Sequence, residues 1–322
     1  MRAIVCSAFG APIAEAELPS PALFTGGVRI KVAAAGVNFA DTLLIAGRYQ
    51  EKIEPPFAPG MELAGTVVEV AEGVTSCRPG DRVMAVVTAG AFAEEVVAAE
   101  TDVFVLPDGL DTIDAAAFPI AYGTSHLALK HKAALKPGET LLVHAAASGV
   151  GLTAVEIGRA LGATVIGTAG GPEKVRVALE QGAHHGIDYK ALDIRASVKE
   201  LTGGRGADVV YDPVGGEVFD ASLRSTAPDG RILVIGFASG TVPQIPANIL
   251  LVKNLTVIGY WWGAYRKLNP ALMRESMLEA MAWWREGRLK PHVSATLPLE
   301  RAAEALAMLK GRAATGKIVL TV

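Results

Sequence analysis

HAAASGVG, residues 144–151, joins an apolar run, LLV (141–143), to a segment whose apolar residues recur with helical spacing, LTAVEIGRALG (152–162). A small-residue turn between strand and helix is a place where a dinucleotide's pyrophosphate sits. The helix start offers unpaired N–H groups and the positive end of its dipole. In the usual fingerprint, G-x-G-x-x-G, the glycines serve the tight bend, the close approach of backbone to pyrophosphate, and helix–strand packing. Ala146, Ser148 and Gly151 stand at those three positions here. Ala is the smallest residue with a side chain, and Ser keeps the approach close while adding a hydroxyl. Taken alone, the stretch also reads as a plain strand-to-helix turn. A second strand, TVIGTA (164–169), ends about 20 residues on, the spacing of a βαβ dinucleotide unit. That context favours a cofactor turn built from Ala147, Ser148, Gly149, Val150 and Gly151.

The same spacing bears on which dinucleotide binds. An NAD site places Asp or Glu at the end of the second strand to bond the ribose hydroxyls. Here Thr168, Ala169, Gly170 and Gly171 stand there, followed by Pro172, Glu173 and Lys174. Small neutral residues leave room for a 2′-phosphate, and Lys174 can neutralise it as a point charge. Glu173 argues the other way, unless it serves the helix dipole, and Lys174 also reads as an ordinary solvated residue. The expectation is NADPH.

Outward from this unit the chain divides. Before about Asp114, VRIKVAAAGV, ELAGTVVEVA, DRVMAVV and FAEEVVAA are short β-branched runs separated by Gly and Pro turns, a pattern that suits a partly open barrel. Afterwards, continuous Val/Ile/Leu strands alternate with helices, which implies a parallel sheet covered on both faces. The final strand–helix–strand, HVSATLPLERAAEALAMLKGRAATGKIVLTV, is expected to rejoin the first part. The expected division is 1–122 for the barrel, 123–262 for a Rossmann cofactor domain, and 263–322 for the return to the barrel.

The 322 residues carry a net charge of −3 and no Lys/Arg cluster, which argues against nucleic acid and membrane surfaces as partners. Two cysteines exclude a disulfide framework and a cysteine-rich zinc module. No apolar run is long enough to cross a bilayer, and the N-terminus shows no export signal. The expected location is the cytoplasm. His184 and His185, beside a helix end, read as structural or solvated.

AAGVNFADTLLIAGRY (34–49) and PGMELAGTVVEVAEGV (59–74) make a resemblance specific, together with GDRV (80–83), AASGVG (146–151), EKVRVALEQGAHHGIDY (173–189) and TGKIVL (315–320). The chain resembles the medium-chain dehydrogenase/reductase superfamily, and within it the zinc-free, zeta-crystallin-like NADPH:quinone oxidoreductases. The resemblance implies an α/β architecture: a GroES-like, partly open β-barrel and a doubly wound Rossmann domain, with a cleft for nicotinamide and substrate. Zinc-dependent members carry a Cys within the segment matching Gly36–Asp41 and a Gly-His-Glu at the next motif. Here Asn38 and Gly60-Met61-Glu62 stand instead, and the four cysteines of a structural zinc are missing after GDRV. The thiolate and imidazole a catalytic zinc needs are gone, so no metal is expected.

Alcohol oxidation needs a Lewis acid or strong base to support an alkoxide. Hydride delivery to a quinone or an enone does not, because conjugation spreads the developing charge. The resemblance places Asn38 and Tyr49 near the nicotinamide as the polar, catalytic candidates, Tyr49 as a proton donor; a half-buried packing aromatic is the plainer reading of Tyr49. It also implies cofactor contacts from Thr124, Tyr189, Val214, Ile235, Gly236, Phe237, Tyr260, Trp261 and Trp262, and a phosphate contact from Lys317. The strand near Leu255–Tyr260 reads as an uncovered sheet edge and, as in family members, a homodimer contact. Three functions stay open: reduction of quinones or α,β-unsaturated carbonyls; reduction of acryloyl- or crotonyl-CoA, with Arg48, Lys52 and Arg266 as candidate phosphate contacts; and a non-enzymatic NADPH-binding role.

Overall fold

The structure is a computed structural model that describes residues 1–322. It divides into two compact units, Met1–Ile120 with Pro291–Val322, and Ala121–Lys290.

The first unit is built on the strand Gly27–Val37, whose β-branched residues Val28, Ile30, Val32 and Val37 are buried. One edge pairs antiparallel with Glu62–Val70. The other edge is shared: residues 27–31 pair with Glu95–Ala99, and residues 34–37 pair with the C-terminal strand Lys317–Thr321. Register shifts at Arg29/Ile30 and Val32/Ala34 bend the strand so that it serves both partners. Arg82–Val86, Val103–Val105 and Val293–Pro298 extend the curved sheet. The last strands do rejoin the N-terminal part, and Ile318 and Leu320 complete its core with Leu63, Val83 and Phe92.

The second unit is a six-stranded sheet with every pairing parallel. In chain order its strands are Thr140–Val143, Thr164–Ala169, His185–Asp188, Ala207–Asp212, Thr226–Val234 and Thr256–Gly259. Their spatial order is third, second, first, fourth, fifth, sixth. This is the doubly wound arrangement whose order reverses beside the first strand, and ligands bind outside the strand ends at such a switch point. The HAAASGVG turn leaves that first strand. Ala207–Asp212 is buried at every position, in keeping with the apolar run Val209–Tyr211 at its centre.

One expected boundary moves. Residues 263–290, grouped above with the returning chain, pack in the second unit. The helix Pro270–Arg285 starts on Asn269, whose Oδ1 accepts the Leu272 amide, and it buries Met273, Met277, Met281, Trp283 and Trp284. Ser276 Oγ lies 2.7 Å from His126 Nδ1, tying the helix to Pro119–His126. A helix with this much apolar surface joins the sheet unit that covers it. No helix is long and apolar enough to cross a membrane.

Candidate cofactor and active site

His144 enters the turn fully buried, its N–H bonded to Tyr211 O. Its ring bridges two neighbouring elements: Nδ1 lies 3.0 Å from Thr168 Oγ1 and Nε2 lies 2.9 Å from Ser222 Oγ. Burial pushes its pKa down, so the brace is a neutral imidazole. Ala146 N donates to Thr168 O, tying the turn to the end of the second strand.

Ser148 then caps the helix Gly149–Ala160, its Oγ accepting the Gly151 amide at 3.2 Å. Leu152 N closes the first helical bond onto Ser148 O. By the geometry of a helix start, the N–H groups of Gly149 and Val150 are left to an incoming acceptor. Gly151 is demanded by packing, since a Cβ there would lie 2.0 Å from Ala145 O. This is the third-glycine requirement, met where the first two glycines are replaced. Thr124 is buried in the helix Pro119–His126, and its neighbour Ser125 bonds Val150 O at 3.1 Å and Tyr211 OH at 2.9 Å. The structure thus brings Thr124's helix onto the turn.

The end of the second strand forms a crest. Gly170 is overlain so closely by Tyr189 that a Cβ would meet its Oη at 2.6 Å, with Lys190 Cε at 3.3 Å. Asp188, which ends the neighbouring strand His185–Asp188, has its Oδ1 accepting the amides of Gly171 and Lys190, and Glu173 pairs with Arg176. Tyr189 is exposed and Lys174 half-buried. Lys190 is a second cation at the crest, and its place directly after GIDY is the one sequence signal that points to it. Thr168 departs from expectation, because its hydroxyl turns inward to His144; Ala169 is also buried.

Val214, Ile235, Gly236 and Phe237 lie on two zipped loops past the fourth and fifth strands. Ile235 N bonds Asp212 O, Ser239 N bonds Val214 O, and Asp212 Oδ1 gathers the amides of Val214 and Gly215. After the sixth strand, Tyr260 and Trp262 are buried while Trp261 is half-buried. Tyr260 OH and Trp262 Nε1 make no hydrogen bond within the protein, and burial drives the Tyr260 pKa up. A buried indole N–H and phenol without protein partners suit a ligand that brings its own polar groups.

In the first unit, Asn38 starts the helix Phe39–Ile45. Its Nδ2 donates to Glu62 Oε1 at 2.8 Å and its Oδ1 accepts from Lys317 Nζ at 2.6 Å. One Nδ2 proton is left for a ligand. Lys317 cannot serve the phosphate contact expected of it: it is buried, and Nζ spends its donors on Val37 O, Asn38 Oδ1 and Glu62 Oε1. Glu62 Oε2 accepts the Ile120 amide, so this carboxylate is committed on both oxygens. Asp41 Oδ2 accepts the Asn38 amide, and burial raises the Asp41 pKa to about 7. Tyr49 is half-buried, its ring against the core of this unit.

Asn38, Met61 and Glu62 therefore do not make a zinc centre. They offer no thiolate or imidazole, and the one carboxylate is bound by an ammonium.

Comparison with known proteins agrees with this anatomy. Residues 25–108 match the family described as alcohol dehydrogenase GroES-like domain, and residues 149–282 match the one described as zinc-binding dehydrogenase. A quinone oxidoreductase-like protein 2 homolog from Nematostella vectensis is 46% identical over 99% of this chain and 88% of its own. The structure of Escherichia coli quinone oxidoreductase complexed with NADPH superposes with a TM-score of 0.92 at 31% identity, covering 100% of both chains. That of a 2-haloacrylate reductase reaches a TM-score of 0.87 at 33% identity, covering 100% of this chain and 99% of the other.

Proposed function

From the premise that the chain belongs to the medium-chain dehydrogenase/reductase superfamily, among its zinc-free quinone oxidoreductase-like members, we propose that it reduces quinones or α,β-unsaturated carbonyls with NADPH. It is an oxidoreductase. The observation that carries the reading is the Ser148-capped turn at the switch point of the parallel sheet, beside a crest that bears Lys174 and Lys190 and whose acids Asp188 and Glu173 bond backbone amides and Arg176.

Gly149 and Val150 N–H groups and the Gly149–Ala160 dipole hold the pyrophosphate. Lys174, Lys190 and Tyr189 surround the 2′-phosphate, and Asp188 Oδ1 accepts the Gly171 and Lys190 amides beside them. Thr124, Val214, Ile235–Phe237 and Tyr260–Trp262 line the nicotinamide half, where Tyr260 OH and Trp262 Nε1 find polar partners. When bound, NADPH supplies a hydride from nicotinamide C4. Asn38 uses its remaining amide proton as a ligand contact, and Tyr49 or solvent supplies the proton to the reduced acceptor. No residue set fits a Lewis acid at the zinc-family positions, so the acceptor is one whose conjugation stabilises the incoming charge. The names of two relatives, a quinone oxidoreductase and a haloacrylate reductase, describe such acceptors.

The second unit ends its sheet on Thr256–Gly259, and the preceding helix Ala247–Lys253 leaves Leu251 and Val252 each 77% exposed. An apolar edge of this kind supports a homodimer, which light scattering after size exclusion checks; a monomer contradicts it.

The test of function is NADPH oxidation with 1,4-benzoquinone, 9,10-phenanthrenequinone, methyl vinyl ketone and acryloyl-CoA. Turnover with the quinones or the ketone is expected. Turnover with the thioester alone assigns the chain to enoyl-CoA reduction, with Arg48, Lys52 and Arg266 to be examined as phosphate contacts. Tight NADPH binding without any turnover assigns it a non-enzymatic role.

A further inference from the structure

His126 ends the helix Pro119–His126, and the chain continues as a π-helix over Leu127–Lys132, closed by the Ala133 amide bonding Ala128 O at 2.9 Å. In an α-helix, a residue five positions on is turned away from the first. The wider i→i+5 winding carries it back over the starting face. His131 is thereby set beside His126, with ring centroids 6.1 Å apart.

The helix Pro270–Arg285 lays three residues of one face against this pair: Ser276, Glu279 and Trp283. The Trp283 ring meets His126 edge-on at 4.9 Å. Glu279 Oε2 lies 3.6 Å from His126 Nε2, and one ligand atom from each of His126, His131 and Glu279 falls within 4.8 Å of the others. The Nε2 atoms of both histidines are buried and make no hydrogen bond within the protein. Two buried ring nitrogens without a partner need one. His126 Nδ1 lies 2.7 Å from Ser276 Oγ, and in the tautomer that donates Nδ1–H to that oxygen the lone pair sits on Nε2, the orientation found in metal-ligating histidines.

We propose that His126, His131 and Glu279 bind a divalent transition-metal ion of the zinc class, which clamps the π-helical turn to the helix Pro270–Arg285. Two imidazoles and one carboxylate suit Zn²⁺, Co²⁺ or Ni²⁺ and disfavour Mg²⁺ and Ca²⁺, which take oxygen ligands. Ligands at zinc distances span a tetrahedral edge of about 3.4 Å, close to the His126–Glu279 separation. Water completes the fourth position. Lys130 is the competitor: its Nζ lies 2.5 Å from both Glu279 oxygens. Its half-exposed side chain swings into solvent when the ion enters. The ion is structural, and the hydride chemistry does not pass through it.

The test uses the full chain, stripped by chelator and titrated with Zn²⁺ by calorimetry, with thermal unfolding followed in parallel. One ion per chain is expected, with a rise in Tm at saturation, and Co²⁺ in its place gives the visible bands of a tetrahedral nitrogen–oxygen site. His131→Gln and Glu279→Gln each weaken binding by ~100-fold while leaving the metal-free Tm near wild type. Ser276→Ala costs ~10-fold or more, and Lys130→Met tightens binding. Absence of binding at micromolar Zn²⁺ overturns the proposal. So does binding that survives both His131→Gln and Glu279→Gln, which places the ion on other histidines.

Discussion

Lys317 Nζ lies 2.6 Å from Glu62 Oε1, with Lys317 6% exposed and Glu62 completely buried. The contact joins the C-terminal strand Lys317–Thr321 to Glu62–Val70 through the residue that also holds Asn38. Removing one partner of a buried ion pair leaves the other charge uncompensated, at a cost of about 3–5 kcal/mol. Lys317→Met is therefore expected to lower stability by that order in urea unfolding. Adding Glu62→Gln to it should recover part of the loss, and a double variant less stable than the single one contradicts the pairing.

Gly151→Ala tests the turn. The new methyl would stand 2.0 Å from Ala145 O and 2.9 Å from Ala146 Cα, both backbone atoms that cannot swing aside. The helix start must shift away from the strand, costing about 1–3 kcal/mol of stability. NADPH affinity is expected to fall by at least ~10-fold, since the Ser148 cap and the Gly149 and Val150 amides move with the helix. A folded variant with wild-type affinity in a fluorescence titration contradicts the placement of the pyrophosphate.

Glu156 gives the chain a pH dependence of definite sign. It is buried, accepts hydrogen bonds from the Tyr122 hydroxyl and the Lys290 amide, and has its pKa raised by burial from 4.5 to about 7. Between those values the folded chain holds a proton that the unfolded chain has released, so stability falls as pH rises from about 4.5 to about 7 and then levels. Asp41, also raised to about 7 by burial, acts in the same direction. Glu156→Gln is expected to reduce this fall by about 1–3 kcal/mol, read as a flatter Tm profile over that window. An unchanged profile contradicts the assignment.

The alternation of apolar strands and helical segments, the Ala146–Ser148–Gly151 spacing and the gap from turn to second-strand end were legible because each reflects local geometry that the chain repeats. The parallel sheet covered on both faces follows from them, and the resemblance adds its doubly wound order. What stayed hidden depends on residues far apart in sequence. Thr168 reads as a small residue lining a cofactor, yet its hydroxyl serves His144. The resemblance implies a phosphate contact for Lys317, whereas Glu62, 255 residues away, takes its ammonium inside. The membership of Pro270–Arg285 turns on which sheet covers its methionines and tryptophans, a fact of packing. His126 and His131 at a spacing of five carry no ligand signature until the backbone winds as a π-helix.

The central claim is that this turn and crest hold a phosphorylated dinucleotide. The most direct measurement is equilibrium binding of NADPH and NADH to the wild-type chain and to Lys174→Ala. Wild type is expected to bind NADPH at least ~10-fold more tightly than NADH, a difference of about 1.4 kcal/mol. Lys174→Ala should reduce NADPH affinity far more than NADH affinity, with Lys190 retaining part of the preference. Equal affinities for the two dinucleotides in wild type, or an equal loss of both in the variant, would contradict the account.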